Sequence, residues 1–345
     1  MFEKTLSKPG AIGCTIIEAL DGGLLFMYST NDGKVFKKSF DSGRTFAEEW
    51  IVPLGTVTAN SNLLRLADSR LMMPLKNKPN DPRAEKIQAG DFTVVFSADD
   101  GKTWGDSRPV NKKSSCFYLM NDRILRLSSG RILIPMGGRP EPHLLSMEQE
   151  AADWCGCFRS DNEGQTWEPS EWVKGATVSN NVAEPIAVEL PDKRVKMFMR
   201  TRMGYLYESE SDDGGMTWTQ EHPTAIRMPQ APFTVKTDPF SGFLFIVWDH
   251  SFPSHISLYP RSPICLGVSR DGGEKWESIM ELDSNPNQNY GYPSLYFKED
   301  EILVTYYWNE TRQFNTNLNQ LKLRIFDRKE LHIIPKAAVP LSCKH

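Results

Sequence analysis

No stretch of this 345-residue chain approaches the eighteen or so apolar residues of a membrane-spanning helix, which excludes a helical span. Neither charge dominates: 40 Lys and Arg against 44 Asp and Glu leave a net charge of −4, with no long basic run. Nucleic acid and anionic membrane surfaces are therefore poor candidates as partners. Cysteine is scarce. Its positions (Cys14, Cys116, Cys155, Cys157, Cys265 and Cys343) follow neither a disulfide framework nor metal-ligand spacing. No Gly-rich phosphate loop follows a strand, so no organic cofactor is expected. Residues Met1 to Pro9 lack the apolar core of a signal peptide. The expectation is a cytoplasmic protein with reduced thiols; a secreted protein whose leader has been removed would read alike.

Against these absences stands one repeated phrase, Ser-x-Asp-x-Gly-x-Thr-Trp. It begins at Ser39, Ser97, Ser160, Ser211 and Ser269, steps of 58, 63, 51 and 58 residues, with Phe46, Asn162 and Lys275 as its departures. The Asp accepts N–H groups across a tight turn, the Gly supplies positive φ, and the Trp buries a large plate. The work of this box is structural. A second signal, a turn followed by an apolar strand, starts at Asp21, Asp68, Ser129, Asp192, Ser241 and Asp300. Six strands against five boxes predict a closed array whose last unit uses a chain terminus. The spacing predicts an all-β, six-bladed β-propeller of four-stranded antiparallel blades, one domain over residues 1–345. Longer connections run from Pro79 to Ile87 and from Pro140 to Ala152, the second with room for a helical turn or two.

Boxes of this kind within a six-fold repeat resemble the sialidase (neuraminidase) superfamily. The resemblance spans nearly the whole chain and implies that the boxes lie away from the active site. Three segments look like the family's catalytic blades in the right order: Val182–Thr201 with Glu184 and Arg200, Tyr259–Ser269 with Arg261, and Tyr290–Tyr296 with Tyr292. By resemblance, Tyr292 is the nucleophile, Glu184 its base, and Arg200 and Arg261 the grip on a substrate carboxylate. A neutral phenol suits an anomeric carbon that already carries a carboxylate, but it needs a base, because its ordinary pKa is near 10. Forked arginine contacts suit a carboxylate.

Each residue also fits a plainer reading: Tyr292 as a strand aromatic, Glu184 as an edge carboxylate, Arg200 as a rim cation, Arg261 as a loop cation. The chain departs from the family in its first repeat, where Gly10–Asp21 holds no arginine. Losing that third arm should weaken carboxylate binding by roughly 1.5–3 kcal/mol, about tenfold to a hundredfold. Arg139, His143 and His250 follow inner-strand ends and are candidates to compensate; Asp249 with His250 is another acid/base pair. For the acid that protonates the leaving oxygen, Asp32 is the aspartate in the first-repeat loop, and an Asn-Asp-Gly hairpin turn is its plainer reading. Glu310 stands near the place of the residue that braces the missing arginine. The expected function is an exo-glycosidase acting on a glycan with a terminal acidic sugar, with retention of configuration. A carbohydrate-binding propeller without turnover and a protein-binding scaffold are the alternatives. A structural cation at a blade turn stays open, and oligomeric state is not legible.

Overall fold

The computed structural model describes residues 1–54, 60–77, 91–111, 116–139, 153–175, 181–251, 261–311 and 315–331. They form six antiparallel sheets around an axis, a six-bladed β-propeller, and contain no helix. Blade one, typical of the set, is built in chain order from Ile12–Glu18, Leu24–Thr30, Gly33–Ser39 and Glu48–Val52. In blade three the inner and outer strands are each interrupted, Cys116–Tyr118 with Leu125–Arg126 and Glu168–Pro169 with Val173–Lys174. Among the described residues no helix is long and apolar enough to cross a membrane.

Blade six explains why there are six units and five boxes. Its first three strands are Asn289–Phe297, Glu301–Asn309 and Gln320–Asp327, and its outer strand is Phe2–Thr5 from the other end of the chain. Every box sits in the turn between third and fourth strands, and in blade six that turn does not exist.

The core lies between blades rather than within them. Phe245, Val247 and Leu266 of blade five pack with Leu295, Val304 and Phe326 of blade six, and Phe26 and Tyr28 of blade one with Leu303 and Tyr307 of blade six. The remaining four interfaces are filled likewise. A strand between two blades is covered on both faces, so Val195–Arg200 and Leu244–Asp249 are buried at every position rather than alternating. Each large apolar side chain so buried contributes about 1.5–3 kcal/mol.

The boxes are turn clamps, as expected. Thr45 N and Thr45 Oγ1 donate to Asp41 at 2.8 and 2.7 Å, and Gly43 N donates to Ser39 Oγ at 2.7 Å. Gly43 has φ of 92°, and a Cβ there would stand 2.7 Å from Phe26 and Leu323, so glycine is required twice over. Partial burial works against ionisation of Asp213, but hydrogen bonds from Thr217, Ser211 and Met216 outweigh it and hold the carboxyl at about 2. Such a depressed carboxyl stabilises the fold above its unfolded value near 4, and that contribution is lost as pH falls toward 2. Asn162 does the same job uncharged, accepting from Thr166 N at 2.9 Å and donating to Thr166 Oγ1 at 2.8 Å. Asp213→Asn should therefore cost no more than about 1 kcal/mol at pH 7. It should also lose less stability than the wild type on going from pH 7 to pH 3, which urea unfolding at the two values measures.

Candidate active site

Inner strands run away from one end of the propeller, and the hairpins joining second to third strands return to that end. Glu184 and Tyr292 both lie near the start of an inner strand, in Ala183–Glu189 and Asn289–Phe297. Both sit at breaks in pairing register, between Ala183 and Ile186 and between Gly291 and Ser294. Both have positive φ, 48° and 45°. A left-handed conformation at a Glu or a Tyr is strained, and such outliers gather at functional sites. Here each bulge turns one side chain out of the sheet's alternation and toward the axis. Blade one has the same irregularity, between Ile12 and Cys14, but its positive-φ residue is Gly13, with no side chain to present.

The bulges bring four of the expected residues together. Tyr292 Oη donates to Glu184 Oε1 at 3.4 Å. Arg200 Nη1 lies 2.7 Å from Glu184 Oε2, a close ion pair whose angle misses that of a hydrogen bond. Arg261 Nη1 donates to Tyr307 Oη at 2.8 Å, and the Tyr307 and Tyr292 rings are 5.9 Å apart. Glu184, Arg200 and Arg261 are all buried. Burial pushes the Tyr292 phenol well above its usual range and the Glu184 charge adds to this, while Arg200 and Arg261 pull it back without prevailing. A phenol in that state is inert until a base takes its proton.

The other candidates fall outside this cluster. Asp32 occupies the exposed two-residue turn between Thr30 and Gly33, its N–H on Thr30 Oγ1 at 3.3 Å. That turn is at the same end of the propeller, but among the described residues no hydrogen bond or ion pair joins Asp32 to Glu184 or Tyr292. His250 is exposed, edge-on to Trp248. Arg139 ends the strand Ile132–Arg139, its backbone paired with Cys116. His143, like both long connections, lies outside the described residues. Glu310 is exposed.

Three groups near the axis were not singled out for the site from sequence, or only in passing. Asn121, Asp122 and Arg123 reach across from blade three: Asn121 Nδ2 donates to Tyr292 O at 3.3 Å, and Asp122 holds Lys236 Nζ at 2.6 Å. Asp249 is fully buried beside the guanidiniums, neither carboxylate oxygen hydrogen-bonded. Burial raises its carboxyl well above the usual range against the opposing pull of Arg261 and Arg200. Lys34, from the blade-one hairpin, is buried with Nζ on Ser29 Oγ at 2.6 Å and on Asn60 O; burial draws the ammonium down to about 7. Away from the axis, Glu208, Glu210 and Glu274 stand close enough to share a metal, but Lys196 Nζ lies 3.1–3.2 Å from all three and serves as their cation.

Residues 57–304 match the family model described as a BNR repeat-like domain. The chain belongs to this family, a propeller of the sialidase superfamily. A curated relative, the anhydrosialidase of Macrobdella decora, is 26% identical over 228 residues, 59% of this chain. The match spans 27% of that relative's length. Among solved structures, the BNR propeller superposes on a Dyadobacter fermentans protein of unknown function with a TM-score of 0.69 at 17% identity, covering 94% of this chain and 97% of that one. It superposes on Trypanosoma rangeli sialidase with a TM-score of 0.68 at 16% identity, covering 94% and 56%. At such identities the structural matches speak for the fold alone.

Proposed function

We propose that this BNR propeller is a retaining exo-glycosidase that removes a terminal acidic sugar through a tyrosyl intermediate. The hydrogen bond from Tyr292 to Glu184, inside a buried group that includes Arg200, carries this reading. Glu184 takes the phenolic proton and the Tyr292 oxygen attacks the anomeric carbon. The bond to the leaving oxygen breaks, and that oxygen takes a proton from an acid. Water then cleaves the sugar–tyrosine bond with the roles reversed. Asp32, on the hairpin at the same end of the propeller, is our assignment for the acid. Asp249 is the second candidate, since burial raises its carboxyl beside Arg261 and Arg200.

The charge balance supports an acidic substrate. Arg123, Arg200 and Arg261 gather around Glu184 and Tyr292, while Asp122 is held by Lys236 and burial raises the Asp249 carboxyl. Guanidiniums grouped in this way suit an anionic ligand. The test is a panel of glycans ending in sialic, other keto-acid and uronic acid sugars, with the released sugar followed by NMR. The expected first product has the anomeric configuration of the substrate. Inversion would sink the tyrosyl route, and saturable binding without release would mark a carbohydrate-binding propeller. Loss of turnover in Asp32→Asn with retention in Asp249→Asn supports Asp32 as the acid; the opposite pattern moves the role to Asp249.

A further inference from the structure

Arg123 is 2% exposed, with its guanidinium over the Phe233 ring at 5.3 Å. Nη2 donates to Phe233 O at 2.8 Å, whereas Nε and Nη1 have no hydrogen-bond partner. Buried N–H groups without an acceptor are costly and rare in native proteins, so two on one cation point to an acceptor that arrives from outside the chain. Burial lowers this guanidinium to about 10, and the charges acting on it are, in order, Glu184, Asp122, Tyr292 and Arg200. Three of those four belong to the candidate site.

Its position answers the gap in blade one. Asn121, two residues earlier, donates through Nδ2 to Cys14 O at 3.1 Å, beside the side-chain-free bulge at Gly13. Arg123 N is held by Asn62 Oδ1 at 2.6 Å, which fixes where the side chain starts across the axis. We propose that Arg123 is a ligand-binding guanidinium at the floor of the site. From blade three it supplies the third contact to an anionic group that Arg200 and Arg261 hold from blades four and five. The proposal rests on the acidic-ligand part of the proposed function and not on Tyr292 as nucleophile.

Arg123 also lines an axial cavity of about 380 Å³ on the far side of the floor. There the other charges are matched: Lys236 with Asp122, Arg126 with Glu163, and Glu189 with Ser128. Glu184, the strongest charge acting on Arg123, is not part of that lining, which favours the site above over the cavity below.

The test measures Kd at pH 7 for a 2,3-didehydro keto-acid sugar and for its methyl ester, which lacks the charge. Arg123→Gln should weaken the acid by about tenfold to a hundredfold and leave the ester nearly unchanged. Arg123→Lys should recover part of the loss, and it provides a folded comparison if the Gln variant unfolds. Unchanged acid binding in either folded variant overturns the proposal. If the wild type binds neither compound, the acidic-ligand reading fails with it; if it binds the acid without help from Arg123, this proposal alone fails.

Discussion

Tyr292→Phe is expected to abolish measurable turnover on whichever acidic glycan the wild type cleaves, while leaving the fold intact. The hydroxyl's bond to Glu184 Oε1 is long, 3.4 Å, and Phe keeps the ring that packs against Tyr307, so the change preserves the packing. Glu184→Gln should lower kcat by about 10²–10⁴-fold, the usual scale for a positioned proton acceptor. The nucleophile and its base act as one unit, so the double variant should be no slower than the slower single variant. Glu184→Gln also leaves Arg200 without its ion-pair partner, and its thermal unfolding must be measured beside its rate. Full turnover in folded Tyr292→Phe would end the tyrosyl mechanism. Multiplicative losses in the double variant would show that the two side chains act separately.

The blades were legible because the box and the turn-plus-strand pattern are local, each written within about eight residues. The four clustered residues were legible through resemblance, which supplied the blade order. The axial segment Asn121-Asp122-Arg123 was not, because its partners are long-range: Asn121 meets Pro293, 172 positions away. A signal for it is nonetheless present in the sequence. Eight residues before each turn start (Asp21, Asp68, Ser129, Asp192, Ser241, Asp300) stand Gly13, Asn60, Asn121, Glu184, Phe233 and Tyr292. Those six positions ring the axis, and aligning inner strands rather than boxes would have placed Arg123 two residues past its ring position. Asp249 was harder, since nothing in Leu244–Asp249 tells a buried carboxyl from one at an exposed strand end.

Asp122→Ala is expected to be the most destabilising substitution near the axis, at about 3–5 kcal/mol, the cost of breaking a buried charged network. Its Oδ1 accepts from Thr15 Oγ1 at 3.1 Å and Lys236 Nζ at 2.6 Å. Its Oδ2 accepts from Ser294 Oγ at 2.6 Å and Leu295 N at 3.3 Å, and its own N–H reaches Ser61 O at 2.9 Å. One residue of blade three thus ties blades one, two, five and six. Removing the carboxylate strands all four donors at once, a large fraction of a typical total stability of about 5–15 kcal/mol. Asp122→Asn keeps one acceptor oxygen and should lose less, so urea unfolding of the pair separates lost charge from lost shape. The same segment holds Tyr292 in place, because Asn121 Nδ2 donates to both Tyr292 O and Pro293 O. Asp122→Asn should therefore lower kcat more than its stability loss alone accounts for. If activity per folded molecule stays at the wild-type level, the axial network serves the fold and not the site.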